Sequence, residues 1–214
     1  MKIYTLIAAS LCLFVFNSCK KDDPTNPTQP SYPNYGQLKA GNYWVYQVFE
    51  LDSSGFDRPT NDFDSCFIAK DTVLNGKTYY EMHRPGLNGM KITYLRDSLS
   101  YIVDYYGNIL FSSSDFSTTF ATAFHIEAGN DTVYKSTRTM TDKDYTVATD
   151  AGTFVTSAYL VKNEIWPNWV AHYRTFYIKT RYAKNVGIVT ETLPPFLSSQ
   201  QFFERRLVRY HVQQ

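Results

Sequence analysis

The side chains of this chain that could do chemistry are few and scattered. His83, His125, His172 and His211 stand far apart, and no two share the short spacing of a zinc site. Asp57, Asp62 and Asp64, with Asn61, offer oxygens to a hard cation, but their spacing is not that of an EF-hand loop and a polar hairpin loop accounts for them. Glu50, Glu81, Glu127, Glu164 and Asp104 supply carboxylates for glycoside hydrolysis, which needs two of them facing across a cleft, and the sequence ranks none above the others. Cys66, in Cys66-Phe67-Ile68-Ala69, has no adjacent histidine to activate it and reads as a small buried hydrophobe. There is no G-x-G-x-x-G, P-loop, H-E-x-x-H or G-x-S-x-G. No metal and no cofactor is expected, and the balance falls against catalysis.

Stacking chemistry has more support. Trp44, Trp166 and Trp169, among 18 tyrosines and 15 phenylalanines, offer flat faces to a sugar ring, although core packing explains the same residues. Trp166-Pro167-Asn168-Trp169 is the best place for exposed rings, because Pro and Asn mark a turn. Nucleic acid is not an expected partner. The 21 basic and 20 acidic residues nearly cancel, and the densest basic group, Arg205, Arg206 and Arg209, is too short for phosphate tracking and reads as the solvated face of a strand.

The elements that must position these residues read as strands. The aromatic share of 17% suits pleated sheet, and from Gly36 onward apolar alternation is broken at short intervals by turn residues. Asn75-Gly76 predicts a hairpin turn between a strand ending at Leu74 and one starting at Lys77. Gly107-Asn108 and Asp97-Ser98 predict further turns, and Leu99 to Tyr105 a strand. Later strands are predicted at 131–140, 145–149, 153–165, 170–182, 186–192 and 202–212, with Arg205, Arg209 and His211 on the solvent side of the last. Phe116, Phe120 and Phe124 are spaced by four and predict a short helix or a loop. The expected fold is all-β: an antiparallel meander that forms a curved half-barrel, a barrel or a sandwich, with at most one short helix.

The amino terminus predicts an address. Lys2 precedes an apolar run from Ile3 to Phe16, too short to span a bilayer, followed by Asn17-Ser18-Cys19, the layout of a signal peptide. Phe16-Asn17-Ser18-Cys19 resembles the lipobox of bacterial lipoproteins, which implies removal of residues 1–18 and acylation of Cys19. Lys20-Lys21-Asp22-Asp23 resembles the charged signal that sends Bacteroidetes lipoproteins to the outer face of the outer membrane. Pro24, Pro27, Pro30 and Pro33 recur every third residue, as in a polyproline II stalk that from Asp23 to Tyr35 reaches roughly 40 Å. The expected organisation is therefore a signal peptide (1–18), a lipidated stalk (19–35) and one β domain (36–214).

Gly41-Asn42-Tyr43-Trp44-Val45-Tyr46 and Tyr182-Ala183-Lys184-Asn185-Val186-Gly187-Ile188-Val189 resemble the opening and closing motifs of Bacteroidetes surface lipoproteins with an all-β domain. The resemblance implies a fold and an address but brings no activity with it. Asp71-Thr72-Val73, Asp97-Ser98-Leu99 and Asp131-Thr132-Val133 resemble the sites at which Bacteroidetes attach O-linked glycans, which would place sugars on Thr72, Ser98 and Thr132. The expected function is a membrane-anchored, non-catalytic binding or accessory module for a glycan, a lipid or an envelope protein. A hydrolase with dispersed carboxylates and a purely structural envelope protein are the alternatives.

Overall fold

The computed structural model describes residues 31–52, 57–86, 89–127, 131–170, 173–193 and 202–213. The signal peptide, Cys19, Lys20 to Asp23, the first three stalk prolines and His172 lie outside the described residues.

Asn75 and Gly76 take φ of 52° and 72°, the positive pair that a two-residue hairpin turn demands. They join β2 (Asp57–Leu74) to β3 (Lys77–Gly86), and the other connections likewise join neighbouring strands, save the one from β6 to β7, which links the two ends of the sheet. The remaining strands are β1 (Tyr43–Leu51), β4 (Gly89–Ser98), β5 (Tyr101–Asp104), β6 (Ile109–Ser112), β7 (Ala121–Ile126), β8 (Thr132–Thr149), β9 (Gly152–Ile165), β10 (Phe176–Ala183), β11 (Gly187–Leu193) and β12 (Phe202–His211). They make one antiparallel sheet in the order β6-β5-β4-β3-β2-β1-β12-β11-β10-β9-β8-β7. The sheet curls into a half-barrel, so that of the three closures open at the sequence level the curved half-barrel is the one adopted.

The curl lets a single sheet bury one face against itself. Trp44, Tyr46, Cys66, Ile68, Met82, Leu95, Ile102, Met140, Tyr159, Tyr182, Ile188 and Leu207 point inward and form the core. The edge strand β6 tucks in as well. Phe111 is 1% exposed and packs between the tilted rings of Tyr35 at 4.7 Å and Tyr182 at 4.6 Å, while the Ser112 amide points at the sulfur of Met140 on β8, 3.3 Å away. Asn34 and Tyr35, at the end of the expected stalk, already belong to this packing: the Asn185 amide donates to the Asn34 carbonyl at 2.8 Å.

Two expectations are corrected and a third is met in part. Residues 113–120 form an irregular connection from β6, so Phe116 and Phe120 take the loop alternative, while Phe124 lies on β7 and the four-residue spacing marks no helix; among the described residues the one short helix is a 3-10 turn at Pro167–Trp169. Leu99 leaves the predicted strand and sits in a turn at φ 57°. The predicted strands 131–140 and 145–149 are one strand, β8, interrupted by a bulge at 142–144 where Asp142 and Asp144 have positive φ.

Candidate functional site

The two motifs that bracket the domain meet inside the curl. Trp44 on β1 reaches past β12, and its indole N–H donates to the Val186 carbonyl at 2.6 Å. One turn of pleat further on, the Tyr46 hydroxyl donates to the Ile188 carbonyl at 3.0 Å. Gly187, at φ 101°, allows this approach: a Cβ there would lie 2.9 to 3.1 Å from three atoms of the Trp44 ring. The spacing W-x-Y places both side chains on one face of β1, and the spacing V-G-I sets the two accepting carbonyls on β11 and its lead-in. Trp44 is therefore a core residue, 1% exposed, and offers no ring face at the protein surface.

Beside this pair lies a cavity. It is lined by Gly36, Leu38, Trp44, Tyr46, Cys66, Met82, Leu95, Ile102, Leu110, Tyr182 and Ile188, together with the polar Thr93 and the charged Arg84. The volume open to the centre of a water-sized sphere is about 40 Å³, within about 510 Å³ of empty space that runs out to solvent. One such sphere needs roughly 10 to 15 Å³, so about three water-sized groups fit the inner part.

A row of charges crosses the inner face next to the cavity. Arg84 on β3 and Arg205 on β12 both donate to Oε2 of Glu191 on β11, the second at 3.1 Å. Arg205 also donates to Asp64 on β2 and, at 3.2 Å, to the Pro85 carbonyl. Four strands are thus tied across the curl by groups whose side chains are between 8 and 22% exposed. Burial is the largest single effect and works against the Arg84 charge, but the neighbouring groups, Glu191 first among them, together raise its pKa. Arg84 commits one amino group to Glu191 and lines the cavity, leaving Nε and Nη1 without a partner among the described residues. The row sums to zero charge, and each carboxylate is held by a guanidinium. It can orient an acceptor group at the cavity wall, whereas a proton donor or a nucleophile needs a carboxylate released from such partners.

Burial raises the Cys66 thiol to about 11, and Tyr46 and Tyr182 are likewise raised by burial. None of the three is poised for reaction near neutral pH. The remaining sequence candidates are spread over the outer face and the rims. His83 lies on the outer face, 2.6 Å from Glu81 and stacked on Phe67, and the hydrogen bond from His83 is the main cause that lowers the Glu81 pKa. His211 stacks on Tyr43 and His125 on Tyr134. Asp57 pairs with Arg206 and Asp64 with Arg205, so the acidic group is drawn to arginines rather than gathered around one centre. Trp166 is 39% exposed and meets the edge of Phe124, while Trp169, at the far end of the 3-10 turn, is half-buried beside Tyr173. Thr72, Ser98 and Thr132 lie half-exposed on β2, β4 and β8.

Sequence reasoning missed Arg205 and with it the charged row. Arg205 is 7% exposed and points inward, whereas alternation from Arg209 and His211 puts it in solvent. The cause is a bulge: Val45 pairs with Arg209 but Tyr46 pairs with Leu207, so Val208 is an extra residue that inverts the facing of everything before it. The signal available beforehand was Leu207, an aliphatic residue between arginines in a strand otherwise assigned to alternate the other way.

No protein-family model matches the chain, and no curated protein matches it. Two solved structures are similar to it. One is a Bacteroides fragilis protein with a YmcC-like fold, inferred to be exported, 14% identical, with a TM-score of 0.49 over 84% of this chain and 99% of the other. The second is a Parabacteroides distasonis protein inferred to be a lipoprotein, 13% identical, with a TM-score of 0.43 over 85% of this chain and all of the other.

Proposed function

We propose that this chain is an exported lipoprotein, anchored by acyl chains on Cys19, whose β domain is a non-catalytic binding module that takes a small amphipathic ligand into the curl of the sheet. The observation that carries the binding reading is the cavity itself. Its walls are mostly apolar side chains, with the Arg84 guanidinium and the hydroxyl-bearing Thr93 and Tyr182 among its lining to offer donors to an acceptor group. The ligand class it fits is an apolar body, such as the end of an acyl chain, carrying a carbonyl, carboxylate or phosphate oxygen toward Arg84. That every carboxylate of the inner row is held by arginine supports binding over hydrolysis.

The test is native mass spectrometry of the domain purified from its own membrane fraction, followed by extraction of any bound species. A bound amphiphile that is lost in Arg84→Ala and in the cavity-filling Thr93→Phe is expected. A domain that carries nothing, and whose thermal unfolding does not respond to acyl carboxylates or lysophospholipids, would sink the reading.

The address rests on the amino-terminal motifs. A stable anchor needs two or more chains, which multiple acylation of Cys19 provides. Cys19→Ala is expected to release the protein from membranes. Replacement of Lys20 to Asp23 by alanines is expected to leave it lipidated but protected from protease added to intact cells, placing Lys20, Lys21, Asp22 and Asp23 as the signal for the outer face of the outer membrane. Thr72, Ser98 and Thr132 are assigned as O-glycan acceptors, and a mass equal to the lipidated polypeptide alone would remove that assignment.

A further inference from the structure

The two edges of the sheet are treated differently by the rest of the chain. On β6, Phe111 and Ser112 are buried, and the Ser112 amide is directed to Met140, so the chain covers its own edge. On β7 the five residues from Thr122 to Ile126 are all exposed, and among the described residues the strand pairs only with β8. A strand with one unpaired side presents a row of amide and carbonyl groups that another strand can complete, and folded proteins ordinarily block such edges with charge, proline or a covering loop. Ala121-Thr122-Ala123-Phe124-His125-Ile126 contains no Lys, Arg, Asp, Glu, Pro or Gly. Its outer face continues an apolar patch: Phe124 is 52% exposed and Ile126 55%, and Phe124 packs edge-on against the exposed Trp166 at 6.0 Å.

We propose that β7 is a pairing edge, and that its occupant is β7 of a second copy of this chain, joined antiparallel about a two-fold axis so that two half-barrels share one continuous sheet. The free edge requires an extended strand, which excludes a helix or a small ligand as the covering group. The strand itself says which one. Having no formal charge, β7 meets its own copy without like-charge repulsion. Its apolar alternation places Phe124 and Ile126 of both copies on the same outer side, where the two Trp166 rings flank the joint. A partner selected by charge has nothing on this strand to select.

The test is sedimentation of residues 31–214, which form one compact unit, across a concentration series, with Phe124→Lys and Thr122→Lys as edge variants and Tyr106→Lys, at a site 86% exposed on the β5 to β6 turn, as the control. A dimer is expected for the parent and the control, weakened at least about tenfold in each edge variant, with unchanged thermal unfolding of the single chain. Phe124 and Thr122 are surface positions, so retained unfolding transitions separate lost pairing from lost folding. A parent that stays monomeric at every concentration, or a dimer equally strong in both edge variants, overturns the proposal, and the first outcome would leave the edge to a strand of a different protein.

Discussion

Replacing Gly187 by alanine tests whether the opening and closing motifs are a structural clasp. The backbone φ of 101° is one that an L side chain adopts at a cost of roughly 1 to 2 kcal/mol. The new Cβ would also lie 2.9 Å from Nε1 and 3.0 Å from Cζ2 of Trp44, closer than any relaxed contact, so the indole must move within a packed core at roughly 1 to 3 kcal/mol. If it moves far enough to lose the 2.6 Å bond to the Val186 carbonyl, about 1 kcal/mol more is lost. The whole change is then about 3 to 6 kcal/mol, a large part of the stability of an ordinary domain. Urea unfolding followed by tryptophan fluorescence measures it. The steric part depends on the indole, so in a Trp44→Phe background the same substitution is expected to cost only the backbone share, about 1 to 2 kcal/mol. A loss below about 1 kcal/mol in the parent, or an equal loss in both backgrounds, would refute the clasp.

Glu191→Gln leaves Arg84 and Arg205 facing each other without the carboxylate they share, and should destabilise the domain by roughly 3 kcal/mol, read as a lower denaturant midpoint at unchanged slope. Asp142 is opposed by burial, yet hydrogen bonds and charge from Lys179 and Arg181 hold its carboxyl below the ordinary range. A folded pKa below the unfolded one means that its contribution is full above an unfolded value of about 3.9 and is lost as pH falls through the folded value. The gap in melting temperature between the parent and Asp142→Asn should therefore be constant near neutrality and close on acidification below about pH 4. Cys66, raised to about 11 by burial, has about one thiolate in a thousand at pH 8, so labelling by a disulfide reagent should be slow in the folded protein and fast in urea; rapid labelling without denaturant would contradict the burial.

Which parts of this molecule are legible in its sequence follows from the range of the forces involved. Asn75-Gly76 specifies its hairpin because positive φ is a local requirement, and the gap left at 141–144 in the strand pattern of β8 corresponds to a real interruption, the bulge at Asp142 to Asp144. The all-β class follows from alternation in the same way. The charged row did not follow, because alternation propagates from a chosen origin and one extra residue, Val208, reverses every assignment on the far side of it. Arg205 thus passes from a solvated position to a bond with Glu191 and Asp64. Trp44 was open to two readings for a related reason: its ring is large enough to be a binding face or a core block, and only the approach of Gly187, 143 positions later in the chain, decides between them. The spacing of Phe116, Phe120 and Phe124 illustrates the opposite failure, since a period of four satisfies both helix and strand, and the choice falls to β8, whose free side accepts β7 as a neighbour. β8 is 18 residues long and β7 pairs with only its first part, Thr132 to Arg138, while the Ser112 amide of β6 reaches it at Met140. The two ends of the sheet therefore meet different stretches of one long strand, a long-range pairing that no local pattern in the sequence encodes.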